Sequence, residues 1–448
     1  MKTFHIRRGL DLPLAGAPEP RIDKGPFVRR LALLGPDYPG LKPTMAVSEG
    51  EQVRAGQVLF TDKRSPRVRF TAPGSGRITA IHRGPKRVLL GVEIALDGED
   101  AQTFDAHDEG RLEQLSRAEV VDLLLASGLW TALRRRPFER VPDPEEIPAA
   151  LFVTALASDP LAADPALVIA ERPREFANGL RVLGRLCDGP LYLCQAPSVE
   201  LPRAGRVEAV AFAGPHPAGL PGTHIHHLLP VHGERCVWHL GYQDVIAIGH
   251  LFVTGRLLLE RILALGGPGA RRPRLIRTRL GAHLGDLLRD ELHEGRWRVV
   301  SGSVLSGHGA QGPLDFLGRY HLQACVLPET QAQPKALGWL RPGGETFSVR
   351  RLFPGVWARR RPRALSTALG GERRAIYPIG TYEQVLPLDL SATYLLRALA
   401  AGDVEEARSL GCLELAEEDL ALCSFVCPGK NNFGRLLREV LDEIEKEG

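Results

Sequence analysis

A glycine-spaced repeat near the N-terminus constrains this chain most. Val47, Gly50, Val53, Gly56 and Leu59 follow one another at intervals of three. The run recurs, with one extra residue, at Ile81, Gly84, Val88, Gly91 and Ile94, and Ala72, Pro73, Gly76 and Ile78 lie between the copies. Glycine at a corner permits positive φ, and the apolar residues between corners face inward. Two such copies pack as a small pseudo-symmetric β sandwich.

The repeat resembles the barrel-sandwich hybrid family of biotinyl and lipoyl carriers. Those carriers present a modified lysine on an exposed hairpin, and Asp62-Lys63 is the candidate here. No Met flanks Lys63, and its spacing to Ala72-Pro73 is longer than in carriers. Lys63 therefore reads as an ordinary surface lysine.

Beyond the repeat the pattern changes. Ser116 and Glu119 form a capping box for a helix that ends near Gly128. From Ala149 onward, apolar runs at residues 150–154, 191–194 and 207–212 alternate with a helical stripe at Phe176, Leu180, Leu183 and Leu186. Such alternation argues for a mostly parallel, Rossmann-like sheet covered on both faces. Residues 242–265 read as one long helix. Strand, helix and two further strands between residues 274 and 327 suggest a β-grasp module. The expected architecture is a multidomain α/β chain: a barrel-sandwich hybrid (1–100), a Rossmann-like α/β domain (101–265), a β-grasp (SLBB-like) module (266–330), a basic strand-rich segment (331–385) and a helical domain (386–448).

Composition excludes several classes. A net charge of +4 over 448 residues does not argue for nucleic acid. Seven cysteines, odd in number and scattered, do not read as a disulfide framework and imply a reducing compartment. No signal peptide is legible at the start. The most apolar stretch, residues 245–265, is interrupted by Arg256, Glu260 and Arg261, too polar for a bilayer span. Any work at a membrane is expected to be peripheral.

Four constellations could carry chemistry. Cys423, Cys427 and Pro428 match the end of a ferredoxin-type motif, whose first two thiols would fall at Glu417 and Leu420. Cys412 has the wrong offset, so the stretch reads as a cluster motif short of ligands, its cysteines buried as small apolar residues. Gly307, Gly309 and Gly312 satisfy G-x-G-x-x-G, but Pro313 follows and a strand begins about ten residues later, leaving no room for the helix a dinucleotide site requires. His216, His224, His226, His227, His232 and His239 crowd one loop. His224 and His226 could share a face of an extended segment, but apart from Cys236 no carboxylate or cysteine joins them at ligand spacing, and loop histidines near a ligand or subunit contact are the plainer reading. Trp238, His239, Tyr242 and Asp244 stand where a strand feeds a helix, the edge at which open sheets bind ligands. Two aromatic surfaces with two polar groups able to reach a carbonyl oxygen would suit a quinone; core aromatics and a helix cap are the plainer reading. The arginine runs at 134–136, 271–274 and 359–363 read as solvated faces, with docking to partner subunits or anionic headgroups as the alternative.

Several strings resemble one family over the whole chain. They include Gly9-Leu10-Asp11-Leu12-Pro13-Leu14-Ala15-Gly16, Leu41-Lys42-Pro43-Thr44-Met45, Lys86-Arg87-Val88-Leu89 and Arg136-Pro137-Phe138. Phe152-Val153-Thr154-Ala155 and Cys423-Ser424-Phe425-Val426-Cys427-Pro428-Gly429 join them. The family they resemble is the A subunit of the bacterial sodium-translocating NADH:quinone oxidoreductase, similar in turn to the flavin-carrying subunit of respiratory complex I and the C subunit of Rnf complexes. The resemblance implies a peripheral subunit on the cytoplasmic side of the inner membrane, partnered by the rest of that complex. It also implies a quinone-related role with ubiquinone as substrate, no cofactor of its own, and NADH, FAD, FMN and iron–sulfur sites elsewhere in the complex. Two readings compete with it: a dehydrogenase subunit that binds flavin or NADH, and a pure scaffold.

Overall fold

The glycine repeat forms two small antiparallel sheets. One runs Arg30–Leu34, Leu89–Leu96, Gly76–Arg83, Gln52–Val53; the other runs Pro43–Met45, Val58–Asp62, Arg69–Thr71. Phe60 and Phe70 stack at 4.7 Å between them, with Leu33, Ile78 and Val92 closing the core. Gly50 and Gly56 turn at φ 86° and 85°, as the repeat requires. The second copy differs. Gly91 lies inside a strand, and the left-handed corner falls on Lys86 and Arg87 instead. Lys63 is exposed at the end of Val58–Asp62. The computed structural model describes residues 1–233, 235–330, 347–349, 361–369, 371–372 and 374–447. Much of the expected basic segment 331–385, including Arg359 and Arg360, lies outside the described residues.

The middle of the chain builds a six-stranded sheet in the order Lys2–His5, Val207–Ala213, Leu191–Gln195, Leu151–Ala155, Val237–Gly241, Arg134–Arg136. All neighbours are parallel except the last pair. Its first strand therefore comes from the extreme N-terminus, ahead of the sandwich. Side chains alternate across the sheet. Leu151, Val153, Leu193 and Leu240 meet helices Pro173–Leu183 and Tyr242–Thr254, while Phe152, Val210, Phe212 and Val237 meet Pro221–Leu228 on the other face. The two helices on the first face touch backbone to backbone. A Cβ on Gly249 would stand 1.9 Å from the Glu175 carbonyl oxygen, and one on Gly179 would stand 2.0 Å from that of Val245.

The helix expected over 242–265 ends at Thr254, where Gly255 turns left-handed at φ 65°. Glu260–Gly266 is instead a strand, opening a second six-stranded sheet. That sheet runs His308–Gly309, Trp297–Ser301, Gln323–Pro328, Glu260–Gly266, Arg274–Arg279, Glu19–Lys24. The hairpin 260–279, the short helix Leu284–Leu287 and the parallel return of Gln323–Pro328 make the β-grasp arrangement. Again the edge strand is borrowed from the N-terminal segment. The C-terminal helices, Thr381–Val385, Ala392–Ala401, Val404–Ser409, Ala421–Val426 and Phe433–Glu447, enclose their own core of Leu395, Leu396, Leu420, Phe433 and Leu437.

Candidate functional site

The parallel strands of the α/β sheet, numbered from Leu151–Ala155 in chain order, lie in the order third, second, first, fourth. Leu151–Ala155 and Val237–Gly241 are thus neighbours whose connections leave in opposite directions, the switch point at which open sheets bind ligands. A cleft of about 950 Å³ opens there. Its walls come from Thr154 and Leu156 at the end of the first strand and from Leu240, Gly241 and Tyr242 at the end of the fourth. Opposite them stand Gly302 to His308 and Tyr320 of the grasp module, and Glu418, Phe425 and Lys430 of the helical domain.

The four sequence-predicted residues divide between this cleft and the core. His239 and Tyr242 line the cleft. Trp238, one residue from His239 and so on the opposite face of the strand, is fully buried edge-on to Trp130 at 5.4 Å. Asp244 is buried in the first turn of its helix, paired with Arg261 at 2.7 Å and with Arg319 at 3.0 Å. It ties the helix to the grasp module and does not face the cleft.

Sequence reasoning missed the cleft's ionic wall. The edge strand Arg134–Arg136 is followed by Pro137 and a left-handed turn at Phe138 and Glu139 (φ 80° and 54°). That turn folds Glu139 back beneath the strand it has just left. There Glu139 meets Arg134 at 2.7 Å, Arg136, and His239 Nε2 at 3.0 Å. Burial opposes its charge, yet Arg134, Arg136 and His239 hold Glu139 well below the ordinary carboxylate range. Burial drives His239 down to about 4, so its ring is neutral at physiological pH. Arg136, expected on a solvated face, is fully buried and crosses to the helical domain. It reaches Asp419 at 2.8 Å and the Glu414 carbonyl oxygen at 3.0 Å. Gly222 leaves room for that carboxylate, since a Cβ there would stand 2.2 Å from Asp419 Oδ1. Arg274 is likewise buried, against Glu291 at 2.8 Å. The local signals were an acid three residues after Arg136 and the acidic run Glu417-Glu418-Asp419.

The remaining constellations resolve plainly. His224 and His226 lie on the helix Pro221–Leu228 rather than on an extended segment. His224 is buried against Phe212, and His226 is bonded to Glu414 at 3.0 Å and to the Asp389 amide. Cys412, Cys423 and Cys427 are buried in the helical core, and Tyr382 Oη donates to Cys427 Sγ at 3.2 Å. Among the described residues no three His, Cys, Asp or Glu side chains converge as metal ligands. Gly307 to Gly312 forms a strand of two residues and a 3-10 turn that opens no long helix. The turn where this sheet would need a glycine cradle, after Leu151–Ala155, reads Leu156-Ala157-Ser158-Asp159-Pro160 and holds no glycine. No helix among the described residues is long and apolar enough to cross a membrane.

The fold and cleft define a class: a multidomain α/β protein whose barrel-sandwich hybrid, α/β domain and β-grasp module are followed by a helical domain around one interdomain cleft. Three family descriptions match in series: an NqrA N-terminal barrel-sandwich hybrid domain over residues 4–97, an NqrA second alpha/beta domain over 115–257, and an NQRA C-terminal domain over 262–312. The chain belongs to the NqrA family, the A subunits of Na(+)-translocating NADH-quinone reductases. Relatives carrying that name include those of Shewanella amazonensis, 52% identical over 443 residues, and Pseudomonas aeruginosa, 54% identical over 445; each alignment covers 99% of both chains. An NAD+-reducing NiFe hydrogenase crystal structure aligns with 49% of this chain and 48% of its own at a TM-score of 0.34 and 14% identity, too low to carry an argument.

Proposed function

We propose that this chain is the A subunit of a sodium-pumping NADH:ubiquinone reductase, docked peripherally on the cytoplasmic side of the inner membrane. In this reading it interacts with quinone and holds no flavin or iron–sulfur cluster of its own; electrons travel through cofactors held elsewhere in the complex. The cleft at the switch point carries the quinone part. Its volume falls within the range of small-molecule sites, about 300–1,000 Å³. Apolar walls from Leu156, Leu240 and Phe425 would hold a ring, and Tyr242 and His239 are the two sequence-predicted residues that reach its surface.

Binding of a short-chain ubiquinone to the full-length chain, followed by isothermal titration, tests this. Tyr242→Ala should weaken binding about tenfold or more, whereas Lys63→Ala should leave it unchanged. A purified chain that carries flavin absorbance near 450 nm through gel filtration, or stoichiometric iron, would overturn the cofactor-free reading.

A further inference from the structure

Five ionisable groups, Arg134, Glu139 and Glu418 lining the cleft with Arg136 and Asp419 buried behind them, make one ionic cluster at its wall, and their charges do not balance. Arg134 and Arg136 supply two cations. Glu139 takes one, held by both arginines and His239; Asp419 takes the other, through Arg136 Nη1 at 2.8 Å and the Ala416 amide at 2.8 Å. Glu418 is left over. Its nearest cation, Arg136 Nη2, is 3.6 Å away, outside hydrogen-bond reach. Its Oε1 is buried and has no hydrogen-bond partner among the described residues. As a carboxylate Glu418 would give this wall a net negative charge in a poorly solvated place; as an acid it leaves the wall neutral. Its neighbours Glu417 and Arg438 do not alter the count, because they pair with each other at 2.6 Å.

We infer that Glu418 is a neutral hydrogen-bond donor of the cleft, a carboxylic acid that donates to a carbonyl oxygen of a bound quinone. The assignment rests on the quinone reading above. Two observations support it: Glu418 lines the cleft and its side chain is 20% exposed; an acid here would offer the O–H that the ionised members of the cluster lack. Burial first, then the charges of Glu139 and Asp419, raise it to about 7 against the pull of Arg134 and Arg136. A ligand that needs the proton binds the acid form, so its affinity is full below that point and falls as pH rises through it.

The experiment measures the dissociation constant of a short-chain ubiquinone for the full-length chain from pH 6 to pH 8. Wild type should bind about tenfold more weakly at pH 8 than at pH 6. Glu418→Gln keeps an N–H donor that does not titrate, so its affinity should vary less than about twofold over the range. Glu418→Ala should bind weakly throughout. A pH-independent wild type, or a pH dependence that survives in Glu418→Gln, overturns the assignment. The infrared band of a protonated carboxyl, titrating near neutrality and missing from Glu418→Gln, checks the acid without ligand; its absence from wild type also overturns the assignment. Failure to bind quinone at any pH, with that band present, rejects the quinone reading and the carbonyl partner together while leaving the acid in place.

Discussion

Arg136 is the sharpest place to perturb this structure. Its guanidinium is fully buried and joins the edge strand of the α/β sheet to the turn Glu414–Asp419 of the helical domain. In Arg136→Ala, Glu139 keeps Arg134 at 2.7 Å and His239 at 3.0 Å. Asp419 keeps only the Ala416 amide, with a side chain 3% exposed, and the Glu414 carbonyl loses its donor. Removing one partner of a buried pair costs about 3–5 kcal/mol, because a charge is left without compensation. At roughly 2.1 cal/mol/K per residue a chain of 448 residues loses about 1 °C per kcal/mol, so the melting temperature should fall by about 3–5 °C. Differential scanning fluorimetry reads this directly, and limited proteolysis should show the helical domain released first. The double change Arg136→Met, Asp419→Leu, which removes that ion pair together and leaves Glu139 with Arg134 and His239, should recover most of the loss. A single variant melting within about 1 °C of wild type would refute the view that this contact holds the helical domain in place.

Gly249→Ala should cost about 2–3 kcal/mol, because its Cβ would overlap the Glu175 carbonyl and no side-chain rotation relieves a backbone clash; a thermal melt decides it. Glu418→Gln should be stabilised relative to wild type at pH 8 and not at pH 4.5. A buried acid raised from 4.5 to about 7 binds a proton in the folded state that the unfolded chain has lost, so wild-type stability falls as pH rises through that window, by at most about 3–4 kcal/mol at about 1.4 kcal/mol per unit. Urea melts at the two pH values measure the difference. Of the seven free cysteines, only Cys187 is not buried, and burial raises its thiol above 9.0. Native labelling with iodoacetamide should therefore be slow and confined to Cys187, and all seven should react in denaturant; native labelling at Cys423 or Cys427 would contradict the helical core described.

Local chemistry was legible where local chemistry decides the structure. Ser116, Glu119 and Gly128 cap their helix as the sequence suggested, with the Ser116 amide bonded to the Glu119 carboxylate at 2.7 Å. The strand-to-helix turn at Gly241 was legible too, and with it the edge where the cleft opens. The long helix expected over 242–265 was not separable from a helix plus a strand, because Leu257, Leu258, Leu259, Ile262 and Leu263 suit either period. Arg136 looked solvated because the carboxylate that buries it is 283 residues away. Trp238 and His239 looked like one surface, yet consecutive strand residues face opposite ways. Nothing in Lys2–His5 or Glu19–Lys24 reveals which distant sheet each will complete.

Those two short strands set an order of events during translation. The segment ahead of the sandwich contains the last piece each large sheet receives. Lys2–His5 must wait for Val207–Ala213, and Glu19–Lys24 for Arg274–Arg279, while the sandwich between 30 and 96 needs nothing downstream to pair its own strands. The nascent chain thus carries an early-folding module with an unpaired ribbon ahead of it. A fragment cut to the α/β domain's own contiguous residues would lack a border strand and expose an open edge, a known invitation to aggregation. Expression of the middle domain should include the first six residues, fused or supplied in trans.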